Sequence, residues 1–486
     1  MKYLWRARLD IRFLFIFASI PLCLDCAIHR HNDCDHSTTM FELGTVLKAT
    51  TGRTISGCIP PHDNLGILDY ARLLGIGGAS TQSYGIAIDS TGNIYIAGIT
   101  NGNLGGQTFT GATGGANNNL FLSRYDSQGN RLWTRLLGAS AADTEALAVT
   151  TDSAGGIYLT GKTTGSIGGQ AAPAGTGMFT AKYDLNGNLL WTRVITSIVG
   201  YYATSYGIGA DALGNIYSGG FTNNTFDSHP LITGGAADSY VVKYDSNGNE
   251  LTSWVFGGPA NVYGFGFAAN SFGNIHATGY TQGNLFGQTF IGSSPNKNFF
   301  LVKFDTNGNQ LWTQLLGSVS AGTEAYGYGI TVDAFGNIYT AGNANVSIGG
   351  QVYSGGGLTY YDLLVTKYDP NGNLLWVRML GTPGGNVKGN SITVDFLGNV
   401  YATGFTSASL DGQPFSGGTY DLFVVKYDAN GNKKWTKLLG AGANTNATGI
   451  SVDFPGNVYG TGYTSASLLG QPYSGGTDDS FLIKYE

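Results

Sequence analysis

Three groups of residues in this 486-residue chain have the types and spacing to do chemistry. The first is the run Cys23-x2-Cys26-x2-His29-x-His31-x2-Cys34-x-His36, thiols and imidazoles at the close spacing a zinc site uses. Part of that run lies in an apolar stretch, Phe13 to Leu24, that follows Lys2, Arg6, Arg8 and Arg12. No core flanks the ligands to hold them rigid, so the run reads as a cleavage region followed by a polar segment, and no metal is expected. The second group is Glu145 and Glu324, carboxylates that could share acid–base work if they converged. Nothing in the sequence brings them together, and the repeats hold only two histidines, His229 and His276, at non-equivalent positions. No catalytic residue is assigned. The third group is a recurring Gly-Gln-x-(Phe/Tyr)-x-Gly: Gln107 with Phe109, Gln288 with Phe290, Gln351 with Tyr353, Gln413 with Phe415, and Gln471 with Tyr473. An amide beside an aromatic at a loop tip suits contacts to protein or carbohydrate, so these ten are the candidate ligand-binding residues. The competing reading folds each ring back into its own loop.

The elements that must carry these residues follow from a second motif. Gly-Asn-(Ile/Val)-Tyr stands at Gly92, Gly214, Gly336, Gly398 and Gly456, with degenerate copies at Gly155 and Gly273, a spacing of about 61 residues that marks repeated supersecondary units. One unit reads as an apolar run (Tyr84 to Asp89), a tight turn to Asn93, a second run (Ile94 to Gly98) and a long Gly/Asn/Thr segment. Two further runs, 119–125 and 131–137, flank the turn Asp126-Ser-Gln-Gly-Asn130. Four antiparallel strands per unit, seven times over, predict an all-β, seven-bladed β-propeller over residues 68–486. The Asp-x-x-Gly-Asn turns at Asp184, Asp245, Asp305, Asp369 and Asp428 lack the alternating acidic pattern of calcium loops and read as side-chain-capped turns.

Other recurrences mark packing. Trp133, Trp191, Trp254, Trp312, Trp376 and Trp435, with Tyr70, are placed at one fourth-strand position as inter-blade glue. Arg124, Lys182, Lys243, Lys303, Lys367, Lys426 and Lys484 are expected to form local ion pairs with turn carboxylates such as Asp89. Asp238, Asp362, Asp421 and Asp479, with Asn119 and Asn298, begin the third strands as caps that lend one rim acidic character. The chain ends on a third strand, Phe481 to Glu486, while Tyr70-Ala-Arg-Leu-Leu-Gly75 matches the fourth-strand Trp133-Thr-Arg-Leu-Leu-Gly138. An N-terminal strand is therefore expected to complete the last blade and close the ring. That order puts the tight turns on one face and the long loops on the other, where binding function concentrates.

All four cysteines precede the repeats. Residues 1–26 read as an export signal or lipoprotein signal, with Cys23 or Cys26 as lipidation candidates, and residues 27–67 as a polar tether in which Cys34 and Cys58 are a disulfide candidate pair. A net charge of −6 offers no basic patch for nucleic acid. Strands of five to seven residues are too short for an outer-membrane barrel.

The core Gly-Ile-(Ala/Thr/Ser)-(Ile/Val)-Asp-x-x-Gly-Asn-(Ile/Val)-Tyr-x-x-Gly and the third strand Asp-x-Phe-Val-Val-Lys-Tyr-Asp, clearest at 421–428, resemble the bacterial SBBP (seven-bladed β-propeller) repeat family. The resemblance implies a secreted or cell-surface protein and supplies no catalytic residues. The expectation is an exported, surface-associated monomer of the cell envelope, outer membrane or cell surface, with the periplasm as alternative. It would act as a non-catalytic binding or adhesion module for a protein or carbohydrate ligand, without cofactor, and would touch membrane only through an N-terminal lipid. The alternatives are a lyase or hydrolase on the long-loop face, or a structural envelope spacer.

Overall fold

Short apolar runs broken by glycine-rich turns fold here into 28 strands, in a computed structural model that describes residues 64–486 apart from 112–113, 197–198 and 233–234. The signal, most of the tether, and Cys23, Cys26, Cys34 and Cys58 lie outside the described residues. Strand β1 is Leu68–Leu74; β2 (Thr81–Ile88), β3 (Ile94–Thr100), β4 (Asn119–Tyr125) and β5 (Arg131–Leu137) form the first four-stranded antiparallel sheet, in that order. Five like sheets follow: β6–β9 (144–195), β10–β13 (203–256), β14–β17 (262–316), β18–β21 (325–380) and β22–β25 (387–439). The seventh combines β26–β28 (445–485) with β1, in the order β1-β28-β27-β26. First strands pack side by side from β2 through β6, β10, β14, β18 and β22 to β26, which returns to β2. The seven-bladed propeller is closed, and its first strands line the axis.

Closure is tighter than strand pairing alone. Leu68 lies opposite Tyr485 and Leu74 opposite Ser480, as the sequence match predicts. Residues 64–67, assigned to the tether from sequence, also belong to the seventh blade. Glu486 and Ile67 exchange backbone hydrogen bonds of 2.8 Å, the same pair that Asp428 N–H to Asn432 carbonyl opens in the sixth blade. Asn64, 1% exposed, donates to the Gly456 and Tyr485 carbonyls and accepts from Gly66 N–H. The third-to-fourth turn of this blade is thus split between the two ends of the described chain and reassembled by hydrogen bonds.

The tight turns fold because their Asp supplies acceptors that the backbone lacks. Asp89 Oδ1 accepts from Thr91 and Asn93 N–H, while Oδ2 takes the Asn93 amide and the Tyr95 hydroxyl. Asp126 repeats the arrangement with Gln128 and Asn130. The turn glycine does two jobs. Gly248 takes a φ of 79°, and its bare face lies on Trp191 of the preceding blade, where a Cβ would come within 2.7 Å of the ring.

The tryptophans do bridge blades, but half-buried and through their indole N–H. Trp133, Trp191, Trp312, Trp376 and Trp435 donate to the carbonyls of Leu185, Ser246, Pro370, Ala429 and Asn64, each in the next blade's turn. Tyr70 does the same with Ser127 carbonyl. Trp254 departs from the expected equivalence: it pairs with Val241, the register position that Arg135 holds opposite Leu122, two residues beyond its relatives.

Two further expectations are corrected. Six of the seven basic residues hydrogen-bond next-blade carbonyls, Arg124 to Leu185 at 2.7 Å and Lys182 to Ser246 at 2.9 Å among them, because the turn carboxylates are already occupied by their own N–H donors. Lys484, the seventh, makes salt bridges instead, with Asp69 and Glu486. The third-strand Asp residues give no acidic rim. Asp362, Asp421 and Asp479 are buried and accept the N–H and hydroxyl of Ser354, Ser416 and Ser474, pinning each long loop to its blade.

Candidate functional site

The ten loop residues stay within their own blades. In each loop the Gln backbone bonds the residue three before it, as Gln107 does with Leu104 and Gln413 with Leu410, closing a two-residue turn. The aromatics fold back. Phe109 is buried, and the Tyr353 hydroxyl donates to the Gly357 and Tyr360 carbonyls. Tyr473 reaches the Gly476 carbonyl, while Phe290 and Phe415 are half-buried and held by backbone bonds to Asn284 and Ser409. Five blades each hold one such pair, and among the described residues no hydrogen bond or ring contact joins one pair to another across blades.

A different set converges. Every first strand carries a β-bulge against its second strand, at Ser83/Gly85, Ser205/Gly207, Gly264/Gly266 and Gly327/Gly329 among others. Along these innermost strands burial alternates: Val262, Gly264 and Gly266 are buried, while Tyr263 and Phe265 are half-exposed. With only the channel inside them, the half-exposed residues face the axis near the long-loop end, and the bulge re-aims one of them. In the blades of β10–β13, β14–β17 and β18–β21 most of these positions and their second-strand partners are aromatic: Tyr206 and Phe221, then Tyr263, Phe265 and Tyr280, then Tyr326 and Tyr328. Phe221 meets Tyr263 at 4.7 Å between ring centroids, Tyr263 stacks on Tyr280 at 5.0 Å, Tyr280 meets Tyr326 at 5.2 Å, and Tyr326 meets Tyr361 at 6.1 Å. A deeper row, Tyr206, Phe265 and Tyr328, runs beneath at 5.5 and 5.1 Å. Burial raises the Tyr206 hydroxyl to about 12 and Tyr263's neighbours Tyr280 and Tyr326 still higher, so these hydroxyls remain proton donors at any physiological pH.

The opposite half of the mouth is polar and internally satisfied. Asn390 donates to the Asn446 side chain, Asn446 to the Tyr463 hydroxyl, Tyr84 to Gln82, and Gln82 to Asp478. Charges sit at the end of the aromatic crescent. Lys297 lies 2.8 Å from Glu324 and over the Tyr280 and Tyr326 rings. Glu324 also accepts from the Tyr326 and Tyr361 hydroxyls. Burial pushes its carboxyl up, but Lys297 and the two tyrosines outweigh that and hold it below the ordinary range. Glu145 is bridged to Lys162 in another blade, so the two glutamates do not form a pair. Lys388 rests 4.5 Å above the Tyr361 ring, its pKa lowered by burial against the pull of Glu324, and its amine has no hydrogen-bond partner among the described residues.

A second cluster sits where residues 223–233 leave the loop pattern. Ser253 donates to Asp227 and lies 3.2 Å from His229 Nε2. Its hydroxyl proton goes to a carboxylate, which is the wrong way round for a nucleophile activated by histidine. Burial and then the hydrogen bond and charge of Asp227 push Glu250 up to about 7, and burial takes Asp238 to about 6. Both shifts are upward, so their stabilising contribution is complete below the ordinary carboxylate pKa and lost as pH rises through 6 to 7. The double variant Asp238→Asn, Glu250→Gln is expected to lose this dependence, with its urea midpoint gaining on the parent's from pH 5 to pH 8. Parallel midpoint curves for the two proteins would contradict the raised carboxyls of Asp238 and Glu250. Asn119 and Asn298 occupy the Asp238 position in other blades, so the first substitution has precedent within the chain.

The family model for a beta-propeller repeat matches residues 69–105, 132–169, 311–349, 375–411 and 434–470. Each match begins on a fourth strand and runs into the next blade, so the sequence unit straddles two structural ones. The chain is 31% identical over 151 residues to the regulatory protein FlaEY of Caulobacter vibrioides, covering 30% of this chain and 15% of that protein. It is 25% identical over 368 residues to an uncharacterized WD repeat-containing protein of Acanthamoeba polyphaga mimivirus, covering 68% of this chain and 25% of that one. The chain therefore spans a quarter or less of the length of these two relatives. Among solved structures, the Pan2 WD40 domain of Neurospora crassa superposes with a TM-score of 0.45 at 9% identity, covering 88% of this chain and 98% of that domain.

Proposed function

We propose that this chain, built of SBBP beta-propeller repeats closed into seven blades, is a non-catalytic binding module whose ligand sits at the long-loop mouth of the channel. The single observation that carries the reading is the aromatic crescent from Phe221 to Tyr361, which breaks the sevenfold rule that governs the turns, tryptophans and closure. Its half-exposed rings, Tyr263, Tyr280, Tyr326 and Tyr361, supply large contact area at low conformational cost. Seven rigid blades hold them in place without any motion of the scaffold. The charged segment Lys2 to Arg12 ahead of Phe13 to Leu24 supports action outside the cytosol, at the cell envelope or surface. A lyase or hydrolase on this face has less support, because Glu324 is held ionised by Lys297 and cannot serve as a general acid near neutrality.

The test compares three proteins on a sensor surface exposed to envelope fractions and soluble partners. They are the parent, a Tyr280→Ala, Tyr326→Ala variant, and a turn-face control, Asn307→Ala. Retention by parent and control, weakened about tenfold or more in the crescent variant, is expected. Equal retention by all three would remove the crescent from function.

A further inference from the structure

The crescent constrains the chemistry of what it holds. Its face is a row of rings, Tyr263, Tyr280 and Tyr326, in contact one to the next across two blades. Its edges carry tyrosine hydroxyls, of which that of Tyr326 is already given to Glu324, and its far end carries Lys297, Glu324 and Lys388, which sum to one positive charge. Lys297 is neutralised by Glu324 at 2.8 Å, so the surplus charge belongs to Lys388, whose amine has no hydrogen-bond partner among the described residues. That ammonium is open to solvent rather than sealed in the core, so it can exchange water for an acceptor carried by a ligand. An apolar peptide segment laid on the rings would desolvate that amine and offer it no acceptor. A sugar ring answers both needs, with a C–H face for the aromatics and hydroxyl edges for the donors.

We infer that the crescent is a carbohydrate site for acidic glycans, in which sugar rings stack on Tyr263, Tyr280 and Tyr326 and a carboxylate of the sugar meets Lys388. The inference rests on the reading of the long-loop mouth as a binding surface and adds the class of ligand. The opposite wall fits a chain lying across the mouth. Its amides and hydroxyls, from Gln82 and Tyr84 to Asn390 and Asn446, already bond one another and can exchange those bonds for sugar hydroxyls.

The experiment is calorimetric titration of the full chain with three probes: an oligogalacturonide, a neutral cello-oligosaccharide of the same length, and a proline-rich peptide. The oligogalacturonide is expected to bind more tightly than the neutral sugar. Lys388→Gln should weaken the acidic sugar about tenfold and leave the neutral one unchanged, whereas Tyr326→Ala should weaken both. Thermal melts establish that each variant folds. Equal affinity for acidic and neutral sugars, binding indifferent to Lys388→Gln and Tyr326→Ala, or binding of the peptide alone would each overturn the assignment. If no sugar binds while Tyr280→Ala, Tyr326→Ala still abolishes retention of an envelope component, the glycan inference falls and the binding face stands. If that variant changes nothing, both fall.

Discussion

Deleting residues 64–74 is expected to abolish the cooperative melt of the whole propeller, not to trim one strand from it. Strand β1 covers the outer edge of β28 (Asp479–Tyr485), and its loss would expose a row of unpaired backbone groups. Ala71 and Leu74 are buried, and they belong to two different clusters: Ala71 packs with Phe481, Ile483 and Tyr485 inside the last blade, and Leu74 with Ile94, Ile96 and Phe121 of the first. The segment is therefore common to both sides of the junction. Asn64 adds the acceptors for Lys426 and Trp435 of the sixth blade, at 2.8 and 3.0 Å. Each buried apolar side chain is worth roughly 1.5–3 kcal/mol and each ladder hydrogen bond about 1 kcal/mol. Together they are comparable with the whole stability of an ordinary domain, roughly 5–15 kcal/mol. A milder variant separates the turn from the strand: Asn64→Ala should cost about 2–3 kcal/mol by leaving Gly456, Tyr485 and Gly66 without its amide. Circular dichroism melts check both. A deletion protein melting within a few degrees of the parent would show that the ring does not depend on its own two ends.

The features legible in the sequence were those carried by side chains repeated seven times. Turn aspartates announce themselves because Asp, Gly and Asn are each needed for a separate reason, and the match of Tyr70–Gly75 to Trp133–Gly138 locates the closing strand to the residue. Partners that are backbone carbonyls leave no such trace. The recurring lysines therefore suggested carboxylate partners, whereas Lys303 and Lys367 reach the carbonyls of Pro370 and Ala429. The displacement of Trp254 could have been counted, since it follows its turn Asn249 by five residues where Trp133 follows Asn130 by three. The crescent was missed for a different reason. A consensus directs attention to positions where the copies agree, and the Gln-aromatic loops agree because each secures its own fold. The channel-facing positions disagree: Gln82, Glu145, Lys388 and Asn446 stand where Tyr263 and Tyr326 stand elsewhere. In a repeat protein the scaffold constrains the shared positions, so a singular ligand has to be read at the variable ones.

The second large effect is expected at a glycine that the repeat motif contains without explaining. The last glycine of Gly-Asn-(Ile/Val)-Tyr-x-x-Gly lies on the second strand, directly across the bulge of the first. At Gly279 a Cβ would stand 1.8 Å from the Tyr263 carbonyl oxygen, and at Gly98 it would stand 2.0 Å from that of Gln82. Neither obstacle is the flexible end of a side chain, so the strand itself would have to move. Gly279→Ala and Gly98→Ala are each expected to cost about 3 kcal/mol, read as a lower urea midpoint at unchanged slope. Function should separate the two. The carbonyl displaced by Gly279→Ala belongs to Tyr263, which stacks on Tyr280 at 5.0 Å, so that variant should lose crescent binding even where it remains folded. Gly98→Ala displaces Gln82 on the polar wall and should keep the stacking surface. Unchanged midpoints in both variants would contradict the close crossing of the strands. Equal loss of binding in both would mean that the bulge shapes the whole mouth and that the aromatic side has no privileged role. The bulge is where the scaffold and its variable face meet: it turns a channel-facing residue toward the axis, and only a residue without a side chain lets the neighbouring strand pass beneath it.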